Sequence, residues 1–183
     1  MSVPRSVKFA AVLLVLSGTA MAAAQSGQMP PMPKPGPAHE ILKADAGTWD
    51  AKVETMSPAG TTTSTGVETS TVGCGGLCLI TDFKGEMMPG MMFEGHGTTA
   101  YDPAKKKYIG SWTDSMSQGL MVSESTWDPA AKTMTATMEG PDMTGAIVKM
   151  KAVTEHKDPN TRVFTMYNPD GTPGMRISYS RRK

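Results

Sequence analysis

Between residues 48 and 181 the chain alternates apolar and polar positions with a period of two. In the first run, Trp49, Ala51 and Val53 fall on one side while Asp50, Lys52 and Glu54 fall on the other. That pattern marks a strand with one buried and one wet face. Comparable runs follow at 64–72, 77–84, 91–100, 107–114, 120–127, 133–139, 146–155, 162–168 and 175–181. Turn chemistry separates them, for example Gly75-Gly76, Met88-Pro89-Gly90 and Lys157-Asp158-Pro159-Asn160. Two segments repeat one design: Tyr101-Asp102-Pro103-Ala104 and Trp127-Asp128-Pro129-Ala130 each precede a lysine and a new strand. Asp-Pro opens a turn because proline presets φ at its second residue, so each copy reads as a hairpin.

The pattern predicts an all-β meander of about ten antiparallel strands. A closed up-and-down β-barrel accounts for it better than a sandwich, because the connections are of hairpin length and sandwiches need longer crossovers. Closure also removes the exposed edges of a long meander. A barrel of this strand number is wider than side chains alone fill, which predicts a cavity of ligand size.

The N-terminal segment reads differently. Arg5 and Lys8, the apolar run from Phe9 to Leu16, and the small residues Ala22, Ala23 and Ala24 form a secretory signal over residues 1–24. The apolar run is too short for a permanent membrane anchor, and no cysteine stands at the cleavage point to carry a lipid. Residues 25–37 are proline-rich and read as an extended linker. The barrel domain is assigned to 38–183. A short helix is expected over 37–46, with Pro37 at its start and Gly47 as its stop. With only Ile41 and Leu42 as large apolar residues, that helix is expected to act as a lid and not as core. Export places the protein in the periplasm.

The 18 basic and 17 acidic side chains are scattered and nearly balanced. Such a surface offers no field for nucleic acid or an anionic membrane. Cys74 and Cys78 flank Gly75-Gly76; folded round that turn they are placed to form a disulfide, which suits an oxidising compartment. No nucleophile elbow or glycine-rich phosphate loop occurs, so no enzyme activity and no cofactor are predicted.

The chain holds 17 methionines, densest at Met87, Met88, Met91 and Met92, with His96 close behind. Thioethers select Cu(I), which makes this cluster an alternative copper site. The plainer reading is that methionine lines a pliant pocket or rim. Tyr108, Trp112 and Asp114 share one face of a strand, and are the candidate pocket wall with a single polar anchor. The competing reading of Asp114 is that it begins the turn at the strand's end.

Several segments, in order along most of the mature chain, carry a family resemblance. They are Pro35 to Glu40 with Gly47-Thr48-Trp49, then Gly75-Gly76, Gly85-Glu86-Met87-Met88 and Phe93-Glu94-Gly95-His96-Gly97. Tyr101-Asp102, Lys107-Tyr108, Trp112 to Met116, and Ile177 to Arg181 complete the series. With these the chain resembles the bacterial family named domain of unknown function 1579, departing at Cys78, where an aromatic residue is expected. That family is similar to the calycins, the lipocalin and fatty-acid-binding barrels. The resemblance implies a structural pair at the closed barrel end: Trp49 on the first strand, with Arg181 of the last strand lying across its indole. It supplies no activity.

The reading that results is an exported, non-catalytic protein that binds a small apolar or amphipathic molecule inside a calycin-like barrel. The alternatives are a periplasmic Cu(I)-binding protein and a structural module with a solidly packed barrel.

Overall fold

The computed structural model describes residues 31–183 except Pro89, and not the side chains of Met87 and Met88. The signal over 1–24 and the first part of the linker lie outside the described residues. From Pro33 to Lys183 the chain forms one compact unit.

Ten strands follow one another: β1 (Gly47–Ser57), β2 (Gly60–Gly73), β3 (Cys78–Met88), β4 (Met91–Asp102) and β5 (Lys107–Asp114). Then come β6 (Met121–Asp128), β7 (Thr133–Pro141), β8 (Ile147–Asp158), β9 (Thr161–Tyr167) and β10 (Pro173–Arg181). Each pairs antiparallel with the next, and β10 pairs with β1 to close the barrel. The closing register sets Trp49 opposite Arg181, Val53 opposite Ile177 and Thr55 opposite Met175. Directly opposite residues share a face, so the inward parity of Trp49 propagates round the wall.

The repeated Asp-Pro-Ala segments make the same turn twice. Asp102 Oδ1 accepts from the amides of Ala104 and Lys105, at 2.9 and 3.1 Å. Asp128 Oδ1 does the same for Ala130 and Ala131, at 2.9 and 3.1 Å. Lys106 and Lys132, each four residues after its aspartate, adopt φ of 54° and 52°. A left-handed residue after a type I turn returns the chain into the next strand.

A 3₁₀ turn (Pro37–His39) runs into α1 (Glu40–Asp45) and plugs the barrel end at which β1 begins. The expectation that this helix only lids the barrel is corrected here. Ile41 and Leu42 are buried with Leu79 and Tyr108, and with Tyr101 and Trp127 beside them, as a core of their own. A second core collects Trp49, Ala51, Val53, Phe83, Ile177 and Tyr179.

Cys74 and Cys78 form a disulfide across the turn between β2 and β3. The sulfur of Cys78 is part of a buried residue in that corner, at the position where the family resemblance led us to expect an aromatic ring. So short a loop limits the chain-entropy contribution of the bridge to about 2 kcal/mol.

Candidate functional site

The interior divides by height along the barrel into a packed polar layer at the plugged end and an open cavity above it. At the plugged end Trp49 is 2 % exposed and donates from its indole nitrogen to the Asp45 carbonyl at 3.0 Å. The Arg181 guanidinium lies 4.0 Å from the indole centroid. Its nitrogens donate to the carbonyls of Ala46 and Ala44, both at 2.6 Å, and of Pro159 at 3.1 Å. Arg181 thus ties the end of α1 and the β8–β9 turn to the indole, using carbonyls that the helix leaves free.

A second arginine sits deeper. Arg162 of β9 is 6 % exposed, with its guanidinium 4.4 Å from the Trp49 ring and 4.6 Å from the Tyr179 ring. One of its terminal nitrogens donates to Glu68 and the other lies 2.9 Å from Asp45 Oδ1. The Asp45 contact is a charge contact that lacks the alignment of a hydrogen bond. Glu68 Oε1 also accepts from Ser70 Oγ at 3.0 Å. His156 Nδ1 stands 3.7 Å from Asp45, its ring edge-on to Trp127.

Burial raises the Asp45 carboxyl above its ordinary value, against the opposing pull of Arg162. Burial likewise lowers the His156 imidazole, so it is held towards its neutral form. Tyr179 is raised well above the usual phenol value by burial and by the Glu68 carboxylate. Sequence reasoning passed over Arg162, Glu68 and Asp45. The available signal was parity: Arg162 alternates in step with Phe164 and Met166, which both point inward.

Above this layer the barrel is hollow. A cavity of about 580 Å³ opens towards the turns that lead into β2, β4, β6, β8 and β10. Its floor includes Glu68, Thr81 and Tyr179, and its aromatic wall is Phe83, Phe93, Trp112 and Phe164. Facing these rings are the side chains of Met121, Met138, Met150, Met166 and Met175, one from each of β6 to β10, with Met116 and Met143 at the mouth. A void of this size overturns the alternative of a solidly packed barrel.

The three pocket-wall candidates separate. Trp112 and Asp114 line the cavity. Tyr108 does not: it is buried among Ile41, Leu42 and Leu79, and its hydroxyl donates to the Ala38 carbonyl at 2.7 Å. All three face inward, but Tyr108 is four residues nearer the plug than Trp112, about 13 Å along an extended strand. The two readings of Asp114 prove compatible. Its carboxylate accepts from Trp112 Nε1 at 3.0 Å, fixing the indole, and from the amides of Met116 and Ser117 at 2.9 and 2.8 Å, capping the turn.

Trp112 lies flat against β4 because Gly95 and Gly97 stand opposite Asp114 and Trp112 there. A methyl group on Gly95 would overlap the indole, and one on Gly97 would come within 2.8 Å of it. Gly95→Ala is therefore expected to destabilise the fold by about 1–3 kcal/mol through overpacking. It should also turn the ring into the cavity. A tryptophan near-ultraviolet circular dichroism spectrum identical to that of the parent would refute this.

Of the proposed copper cluster, Met91 and Met92 are exposed at the start of β4, and the Met87 and Met88 side chains lie outside the described ones. His96 points away from the barrel interior, with Nδ1 2.8 Å from Asp82 Oδ1. Among the described side chains, the methionines that the fold gathers are those on the cavity wall.

The model of the family described as Protein of unknown function (DUF1579) matches residues 34–181. The chain belongs to that family. Among solved structures, this DUF1579 barrel is similar to an S-type phycobiliprotein lyase from Guillardia theta. The two are 11 % identical with a TM-score of 0.54, over 80 % of this chain and 93 % of that one. A redesigned β-barrel matches at 15 % identity and a TM-score of 0.46, over 78 % of this chain and 95 % of its own. At these identities the likeness to the lyase concerns the fold alone. No curated protein matches the chain.

Proposed function

We propose that this protein is an exported, non-catalytic binding protein for a small apolar or amphipathic molecule held in the open half of the barrel. The observation that carries the reading is the cavity of about 580 Å³ walled by aromatic rings and methionines. Concave apolar sites with few polar groups take such ligands, and thioether side chains adapt to irregular shapes. The two best-placed carboxylates are already engaged: Glu68 by Ser70 and Arg162, and Asp114 by its own turn. That favours holding a molecule over transforming one. Export rests on the Arg5 to Ala24 signal, and the Cys74–Cys78 disulfide is in keeping with an oxidising compartment.

The test is a neutral apolar fluorophore, N-phenyl-1-naphthylamine, titrated into the purified mature chain. Its emission should rise on binding. Ser123→Phe should weaken that binding about tenfold or more by filling the cavity, since Ser123 lies on its wall. An unchanged emission with the parent chain, or equal binding by the variant, would remove the support for this function.

A further inference from the structure

The charged side chains round the cavity are of one sign. Glu68 stands at the floor, Asp114 beside the Trp112 indole, and Asp142 nearer the mouth, while Glu86 at the rim has the outward parity of Lys84 and Met92. Among the described residues, no lysine, arginine or histidine lines the cavity. The nearest buried cation, Arg162, lies behind the floor and is shared between two carboxylates, Glu68 and Asp45. It has no charge to spare for a third. Asp142 is held below the usual carboxylate range by hydrogen bonds from the Thr144 hydroxyl and neighbouring amides, so it is ionised at neutral pH.

An anionic head group entering this space would lose its hydration and meet like charges without a counter-ion, which opposes its binding. A protonated amine would meet the reverse. It gains Coulomb attraction from Asp114 and Asp142, whose hydrogen bonds come from neutral donors and leave their charge uncompensated, and the faces of Trp112, Phe83 and Phe93 attract cations through their ring quadrupoles. Phe83 and Phe93 pack edge to face with centroids 5.8 Å apart, so their rings are fixed relative to one another.

We propose that the ligand is a cationic amphiphile, an amine or quaternary ammonium carrying an apolar body, and that fatty acids and other anionic amphiphiles are excluded. This rests on the ligand-binding reading above and deepens it by assigning the sign of the ligand. The apolar body lies against the methionines of β6 to β10, and the cationic head takes the side of Asp114 and Trp112.

Displacement of bound N-phenyl-1-naphthylamine tests the sign with tails held constant. Dodecylamine, dodecanol and dodecanoate are compared below their micelle concentrations. Dodecylamine is expected to displace the dye at roughly tenfold lower concentration than dodecanoate, with dodecanol between them. Asp142→Asn keeps the one oxygen that accepts from Thr144 and Ala146 and removes the charge, so it should narrow the gap between amine and carboxylate. Asp114→Asn provides a second variant, which removes a charge deeper in the cavity and retains one of that carboxylate's two accepting oxygens. Dodecanoate displacing as well as dodecylamine overturns the proposal while leaving the cavity reading intact. So does a gap that both variants leave unchanged. A chain that never binds the dye overturns the cavity reading itself, and this proposal with it.

Discussion

Arg162→Met is expected to cost about 3–5 kcal/mol of folding stability, read as a fall in the urea midpoint at unchanged slope. The guanidinium holds two carboxylates in the interior, Glu68 through a hydrogen bond and Asp45 through a charge contact at 2.9 Å. Removing it strands both acids in a medium that solvates them poorly. The penalty therefore belongs to the abandoned charges more than to the lost attraction. The triple change Asp45→Asn, Glu68→Gln, Arg162→Met should recover most of the loss, as a neutral interior of similar volume needs no counter-ion. If the triple variant is no more stable than Arg162→Met alone, stranded charge is not the cause.

The same cluster gives the loss a pH dependence of definite sign. Burial raises the Asp45 carboxyl, so the folded chain holds that proton more tightly than the unfolded chain does. Stability from this group is greatest below its ordinary value and falls as pH rises through the raised one. Arg162 opposes the rise, and removing it moves the folded value further up. The deficit of Arg162→Met should therefore be smaller at mildly acidic than at mildly alkaline pH. His156, held low by burial, has the opposite slope: its contribution is lost as pH falls below the ordinary imidazole value. His156→Gln in the same background separates the two.

Local rules made the barrel legible. The strands announce themselves because Trp49, Ala51 and Val53 alternate with charged residues, and the turns because Asp102 and Asp128 each cap a Pro-Ala step. What parity cannot supply is height. It placed Tyr108, Trp112 and Asp114 on one face correctly, yet the plug at the barrel end claims Tyr108 and leaves the cavity to the others. Nor does hydrophobicity mark every inner face. On β2 the inward positions are Ser64, Gly66, Glu68 and Ser70, while Val67 points out, so nothing in the alternation marks Glu68 as interior. The methionines show a third limit. Density along the chain drew attention to Met87–Met92, but the residues that build the cavity are spread one per strand over β6 to β10. Only closure of the sheet brings them together.

Trp49→Ala should lower stability by about 3–5 kcal/mol, comparable to the loss of Arg162. The indole is almost wholly buried, so truncation loses its transfer free energy and leaves a void that the plug can only partly fill. It also removes the ring that lies under two guanidiniums, at 4.0 and 4.4 Å, and the donor to Asp45 that anchors α1. Trp49→Phe retains a ring face and should recover part of the loss, but not the bond to Asp45. Arg181→Lys should cost less than either, because Arg181 is partly solvated and its carbonyl partners can turn to water. Trp49 does not line the cavity. The folded fraction of Trp49→Ala should accordingly bind N-phenyl-1-naphthylamine with the affinity of the parent chain, whereas Ser123→Phe should lose the dye and keep most of its stability. A Trp49 variant that loses affinity in proportion to its stability would mean that the plugged and open halves act as one unit. Independent outcomes would mean that the arginine–indole layer supports a binding chamber whose chemistry is set by the other end.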